Sequence, residues 1–511
     1  MSAVTGTKGA RGGEAAARPV DVLVAEIGST TTVVSAFDGL SAEKLAAGAT
    51  PRLLGQGVAP TSVLDGDVTV GVDAARAQVE ATTGPLEPRE FLATSSAAGG
   101  LRMTVHGLTA KMTAMAAREA ALGAGGVVEY QTAGKLRRHD LERIAAARPN
   151  VVMLAGGVEG GDVETVLHNA EMLAQVDFAA GAGAAGGDAA ATGAGAAGAD
   201  AAAGTAAAAG AGHAAPIQDR VLAAGKKPMV IYGGNSAVCD EACQILHVAG
   251  FDVRVTPNVY PGIDELDVVP ARGVIHDAFE DHIIHAPGME RIGALVSGRI
   301  LPTPGAVLVA AEALAEALGD LVVIDVGGAT TDVHSVTDGS VEYAALQVEP
   351  QPHSKRTVEG DLGTYVSAAH VVEMLAQGER PTRLPPAIPT TPEEVHAALT
   401  LAHYAAVTGV QRHAGQLAHL YTPTGRQTVA RGRDLTACRW VIGTGGAFTR
   451  LPGGESLLLD VRAKNGGDRL LPPKDARCVV DGDYIFACCG VLLAHFPAEA
   501  VVALLRASLD A

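Results

Sequence analysis

Two stretches, one in each half of the chain, share a pattern: an apolar run, an acid, glycine, a loop of hydroxyl residues, then a second apolar run. They are "VLVAEIGSTTTVVSAF", starting at Val22, and "LVVIDVGGATTDVHSV", starting at Leu321. A short apolar run bounded by turn residues reads as a buried strand. A strand that breaks into Gly, Ser and Thr and resumes at once predicts a tight hairpin whose backbone N–H groups line a concavity. Glycine admits close approach and φ > 0, and the hydroxyls add donors. Such a nest suits phosphate oxygens. An acid at the strand end can hold Mg²⁺ through water, because Mg²⁺ gives up its hydration reluctantly.

The order of elements extends the pattern. "VVMLAGGVEGG" follows the first loop by about 130 residues, and "VIGTGGAFTR" follows the second by about 118. Both read as a strand running into small residues, and the later "GTGG" lets a base or ribose lie flat against the backbone. This predicts a duplicated α/β unit. Helices are expected over 73–82, 109–122, 162–176, 303–319, 363–375 and 392–403. Strands are expected at "FLATSSA" and "NVVMLAGG", and through three runs after residue 320, the last of them "SVEYAAL". "TSSAAGG" (94–100) is read as ending a strand and opening a helix beside the first loop.

Composition removes other classes. With 38 basic against 56 acidic residues the net charge is −18, the opposite of a surface that neutralises nucleic acid or anionic lipid. No window approaches a membrane span, and the N-terminus lacks a signal-peptide core, so a cytoplasmic protein is expected. Six cysteines without CxxC spacing read as reduced thiols. "AGKL" at 133–136 lacks the upstream Gly and the Ser/Thr of a P-loop. The Ala/Gly-rich run 179–215 reads as a flexible insertion, and the GxGxxG matches inside it have no strand before them or helix after them. His276, His282 and His285, among Asp277, Glu280 and Asp281, are read either as a metal group or as a solvated polar face.

The motifs "EIGSTTT", "DVGGATTD" and "VIGTGG" resemble the two phosphate motifs and the adenosine motif of the actin, Hsp70 and sugar-kinase superfamily. More specifically, "LATSSAAGGLRMTVHGL", "AGGVEGG…HNAE", "NVYPGIDELDVVPAR", "HIIHAPGM", "PTPGAV" and "KRTVEGDLG" resemble the glutamate mutase component L family. That family accompanies adenosylcobalamin-dependent mutases and aminomutases and is unrelated to the mismatch-repair protein of similar name. The resemblance implies duplicated ribonuclease H-like α/β domains around a nucleotide cleft. It also implies ATP and Mg²⁺ as cofactors, ATP/ADP and mutase subunits as partners, and a chaperone-like ATPase role. The absence of DxHxxG implies that the chain does not hold cobalamin itself. A small-molecule kinase on the same fold and a non-hydrolysing scaffold are the alternatives. Subunit number stays open, a homo-oligomer included.

On this reading the cofactor-binding residues are Glu26, Gly28, Ser29, Thr30, Thr31, Gly327, Gly328, Thr330, Thr331, Gly443, Gly445 and Gly446. Asp325, Asp332, Glu359 and Asp361 are the catalytic candidates, with Asp325 and Glu26 at the metal. Asp325 and Asp332 are expected in a loop outside the core, so that replacing either leaves the fold intact. Glu26 departs from the superfamily, where an aspartate is usual. One extra methylene moves the metal-water position by about 1.5 Å. The expected division is a tail over 1–19, a first ATPase-fold domain over 20–178, the insertion over 179–215, a further α/β segment over 216–318 and a second ATPase-fold domain over 319–511.

Overall fold

Strands β1 (Arg18–Ile27), β2 (Thr31–Asp38) and β3 (Arg52–Pro60) form an antiparallel meander. β4 (Leu86–Ser95) then lies parallel beside β1. The computed structural model describes residues 17–97, 100–178, 227–286, 288–422, 425–463 and 467–509. The insertion expected at 179–215 lies outside these, as does residue range 1–16 of the expected tail, whereas Arg18 and Pro19 open β1.

A second sheet follows, formed by β5 (Arg102–Gly107), β6 (Val127–Ala133), β7 (Val151–Leu154), β8 (Met229–Tyr232) and β9 (Val253–Val255). Its order is β6-β5-β7-β8-β9 and every pairing is parallel. Strands from both sides of 179–226 therefore share one sheet, and no sheet boundary falls at residue 178. β10 (Ile300–Pro302) returns to pair with β4, giving the first sheet the order β10-β4-β1-β2-β3.

The third sheet uses β11 (Leu321–Val326), β12 (Thr331–Val336) and β13 (Ser354–Glu359) as a second antiparallel meander. A separate hairpin, β14 (Gln416–Thr422) with β15 (Gly425–Arg431), precedes β16 (Trp440–Thr444) and β17 (Arg477–Val480), which add in parallel. The order β13-β12-β11-β16-β17 reproduces that of the first sheet, strand for strand and direction for direction.

This match corrects the repeat as read from the sequence. "VVML" at 151–154 belongs to the all-parallel sheet. The counterpart of β16 is β4: Glu26 pairs with Thr94 as Asp325 pairs with Thr444. "TSSA" thus takes the place of "TGG"; among the described residues no helix opens there, and β5 begins at Arg102. The third strand of the later meander is likewise "SKRTVE" and not "SVEYAAL". Ser340 is pinned through its N–H and hydroxyl to Asp434, a short helix Val341–Ala344 follows, and Val341 is 95% exposed. The basic residues of β13 hid it from a hydrophobic pattern, since their partners lie far away in the sequence.

Alternation along the strands sorts the core. Leu23, Ala25 and Ile27 face one apolar cluster, while Val22 and Val24 face another that also receives Leu321 and Val323. Fully burying such aliphatic side chains contributes about 1.5–3 kcal/mol each. The helices Thr303–Leu318 and Phe486–Leu492 fill the shared cluster between the first and third sheets. They cross so closely that a Cβ on Gly490 would collide with the carbonyl of Ala306. This contact sets the two hairpin-bearing sheets against each other and fixes the cleft between them. The helix expected over 392–403 runs on to His413, opened by a capping box between Thr391 and Glu394.

Candidate functional site

The β1–β2 and β11–β12 turns are built alike. Gly28 N–H donates to the carbonyl of Thr31 at 2.9 Å, and Gly327 N–H to that of Thr330 at 2.9 Å. Neighbouring segments then take up the loop carbonyls. Thr61 donates its hydroxyl to the Gly28 oxygen and its N–H to that of Thr30. Thr364, Tyr365 and Val366 donate N–H groups to Gly327 and Gly328, and the Ser367 hydroxyl donates to Ala329. While most of the loop oxygens are engaged, the N–H groups of Ser29, Thr30, Gly328, Ala329 and Thr330 have no acceptor among the described residues. Backbone donors of this kind are normally paired, so an outside acceptor is their natural complement.

Both loops line one cleft of about 400 Å³, within the range of small-molecule sites. Gly445, Gly446 and Ala447 line it as well, at the end of β16. Gly445 has φ +92°, and a Cβ there would lie 2.6 Å from Asp325 Oδ1 and collide with the Val326 carbonyl. Gly445→Ala is therefore expected to push Asp325 out of position and to destabilise the fold by more than 1 kcal/mol, roughly. Chemical denaturation checks this, and a wild-type midpoint would contradict it.

Three acids face the cleft, Glu26, Asp325 and Asp332, with Arg450 the basic residue among the described lining. Burial lifts the Asp325 carboxyl well above the ordinary carboxylate range, and the charges of Asp332, Glu26 and Asp481 add to the lift. Burial likewise raises Glu26 to about 7, opposed by a 2.7 Å hydrogen bond donated by Tyr484 Oη. The Arg450 guanidinium stacks over the Tyr484 ring at 5.3 Å, and Tyr484 holds φ +54°.

A protein-family model described as MutL protein matches residues 22–509. Protein MutL of Clostridium tetanomorphum is 32% identical over 527 residues, an alignment covering 94% of this chain and 97% of that protein. The chain belongs to the MutL protein family. Among solved structures, nucleotide-free acetone carboxylase aligns at a TM-score of 0.31 and 11% identity, covering 92% of this chain and 70% of that one. The ATP-dependent caprolactamase of Pseudomonas jessenii aligns at 0.31 and 13%, covering 84% and 66%. At those scores neither bears on fold or activity.

In this MutL-family chain the cleft gathers Glu26, Gly28, Ser29, Thr30, Thr31, Asp325, Gly327, Gly328, Thr330, Asp332, Gly445 and Gly446. Four expected residues lie elsewhere. Thr331 is fully buried and donates its hydroxyl to the Leu362 carbonyl at 2.8 Å. Gly443 sits within β16, where a Cβ would meet Phe448 and Leu458 at 3.1 Å. Glu359 and Asp361 are outside the cleft lining, both held by Arg412 of the Pro392–His413 helix at 2.7 Å. An acid committed to an arginine fork is poorly placed to orient water.

Asp325 and Asp332 belong to strands and not to a loop, and Asp332 is only 4% exposed. Its Oδ1 accepts Arg356 Nε at 2.8 Å. The acids around the three histidines are likewise committed: Asp277 and Glu280 pair with Arg299, and Asp281 with Arg254. Tyr484, Arg450 and Asp481 escaped the sequence reading. Asp481 is fully buried, accepting from Thr444 Oγ1 and from the N–H groups of Ile485 and Phe486 at the start of a helix. Only a "DGDY" turn marks the Asp481–Tyr484 stretch.

The crowded acids test the fit of a divalent cation. The charge of Glu26 raises the proton affinity of Asp325, a repulsion that a nearby cation would relieve. No three of the described His, Cys, Asp and Glu residues are placed to chelate an ion directly. The cleft carboxylates are therefore too few for a protein-only cage and fit at most outer contacts to a hydrated cation.

The Glu26 shift has a sign in stability. A carboxyl raised from 4.5 to about 7 in the fold is ionised first in the unfolded chain. Its contribution is complete below about pH 4.5 and is lost as pH rises to about 7. Glu26→Gln, which stays neutral, is expected to exceed wild type above pH 7 by roughly 3 kcal/mol at most, and to match it near pH 4.5. Urea denaturation across that range checks this. A pH-independent difference would contradict it.

Proposed function

We propose that this chain is an ATP-binding accessory protein of an adenosylcobalamin-dependent mutase, such as glutamate (methylaspartate) mutase or an aminomutase, working in the cytoplasm. Among the described residues no helix is long and apolar enough to cross a membrane. The observation that carries the nucleotide reading is the set of five unengaged N–H groups on two matching hairpin loops of one cleft. On this reading the two matching sheets are duplicated ribonuclease H-like units of the actin, Hsp70 and sugar-kinase type. The division we propose assigns β1–β4 with β10 to the first unit, β5–β9 to an inserted α/β unit, and β11–β17 to the second.

Within the cleft, the N–H groups of Ser29, Thr30, Gly328, Ala329 and Thr330 would bind phosphate oxygens, and Gly445 and Gly446 would admit the nucleoside against the backbone. Asp325 and Glu26 would hold the hydrated Mg²⁺, which supplies charge neutralisation of the polyphosphate. Arg450, fixed by the Tyr484 ring, supplies a cation at the nucleoside end. Membership of the MutL protein family supports the mutase as the protein served. The proposed output is release of inactivated cobalamin from that mutase, driven by nucleotide-dependent movement of the units.

A steady-state assay tests the proposal. It predicts Mg²⁺-dependent ATP hydrolysis without an acceptor, accelerated by a mutase carrying inactivated cobalamin. Phosphate transferred to a small molecule would favour the kinase instead, and nucleotide binding without turnover the scaffold.

A further inference from the structure

The inserted parallel-sheet unit is spliced by its chain between β4 and β10, yet its side chains fasten it to the other unit. Its helix Thr113–Gly123 lies against β13, and consecutive β13 residues hold it. Lys355 Nζ pairs with the buried Glu119 of that helix at 3.0 Å. Arg356, 2% exposed, donates Nη1 to the carbonyls of Leu122 and Gly126 at 2.8 and 3.2 Å, at the helix's C-terminal end. That end carries partial negative charge, which suits a guanidinium.

The same guanidinium donates Nε to Asp332 Oδ1 at 2.8 Å, with Nη2 at 2.5 Å. The other oxygen of Asp332 accepts the Thr330 hydroxyl at 3.2 Å. A continuous line of polar contacts thus runs from the glycine-rich loop to the helix end. Every member after Thr330 is buried, where hydrogen bonds are electrostatically stronger than in water.

We infer that Thr330, Asp332 and Arg356 form a relay coupling occupancy of the cleft loop to the Thr113–Gly123 helix, so that the inserted unit responds to the ligand. The inference rests on the nucleotide reading. A hydroxyl has a single proton to donate. When Thr330 donates to a phosphate oxygen, Asp332 loses that donor and its carboxylate is held by Arg356 alone. Arg356 shares its fork between Asp332 and two helix carbonyls, so a displacement of Asp332 is taken up at the helix end. Packed, buried joints of this kind pass on sub-ångström shifts because they cannot deform continuously. Arg356 is a positioning residue here: it touches Asp332 and the helix, not the ligand.

Hydrogen exchange on the full chain tests the relay, with Mg²⁺–ADP and a non-hydrolysable ATP analogue added to saturation. Wild type is expected to show slowed exchange at both loops (27–31 and 327–330) and an exchange change of about 5-fold or more over 113–126, the low end of measured couplings. Arg356→Lys keeps the charge but not the fork. It should keep the loop protection and lose the response at 113–126. Thr330→Val removes the first link without opening a buried charge. It also takes a donor from the binding loop, so weaker nucleotide binding is expected. At concentrations where its loops are protected, the response over 113–126 should be lost even if the lysine variant folds poorly. An undiminished response at 113–126 in these variants, or loop protection without any response there in wild type, overturns the relay. If neither loop is protected at any nucleotide concentration, the nucleotide reading falls and the relay falls with it.

Discussion

Asp332→Ala is expected to lower the stability of the fold by about 3–5 kcal/mol, the usual cost of stranding one member of a buried ion pair. The carboxylate is 4% exposed and its partner Arg356 is 2% exposed, so the guanidinium loses its charged acceptor in a largely dry setting. Arg356 would keep only the carbonyls of Leu122 and Gly126. Asp332→Asn retains an acceptor oxygen and should lose markedly less. Urea denaturation of the two variants measures the difference. An alanine variant within about 0.5 kcal/mol of wild type would show that the pair is not a structural joint.

Asp325→Ala should behave in the opposite way. Asp325 is half-buried beside the charges of Asp332, Glu26 and Asp481, and desolvation together with those charges disfavours its ionised form. Removing it relieves that repulsion, so the variant should be at least as stable as wild type at neutral pH and above. Its proposed work is at the hydrated cation, so Mg²⁺-dependent nucleotide turnover should fall by about 100-fold or more. Stability and turnover measured on one preparation check both halves. A variant that turns over nucleotide at the wild-type rate refutes the assignment, and one that unfolds refutes the electrostatic account.

The contrast between these neighbouring acids marks what the sequence could and could not convey. Both hairpins were legible because each couples a short continuous apolar run to a loop whose composition admits little besides a tight turn. "GTGG" was legible for the same reason, and Gly445 lies in the cleft as expected. Asp332 and Asp325 look alike in sequence, since each simply follows or precedes a Gly/Thr loop. Only the fold shows that Asp332 meets Arg356, and that β13, polar in composition, is a central carrier of buried contacts.

Partners far apart in the chain account for the remaining misses. Tyr484 meets Glu26 across 458 residues, and nothing local to "DGDYIF" announces it. The internal repeat was recognised from its loops but aligned to the wrong strand. An entire parallel sheet separates β4 from β10, and "VVML" within it mimics the composition of β16. In sequence Glu359 and Asp361 are simply acids on either side of a glycine. Their commitment to Arg412, reached from a helix some fifty residues on, is invisible in one dimension.

Titration calorimetry of the full chain with ATP, ADP and a non-hydrolysable analogue, with and without Mg²⁺, tests the central claim most directly. Loops whose N–H groups await an acceptor, in a cleft whose acids repel one another, predict saturable heat with Mg²⁺ present and much weaker binding without it. No heat of association for any of the three nucleotides in the presence of Mg²⁺, from a chain shown to be folded, would contradict it.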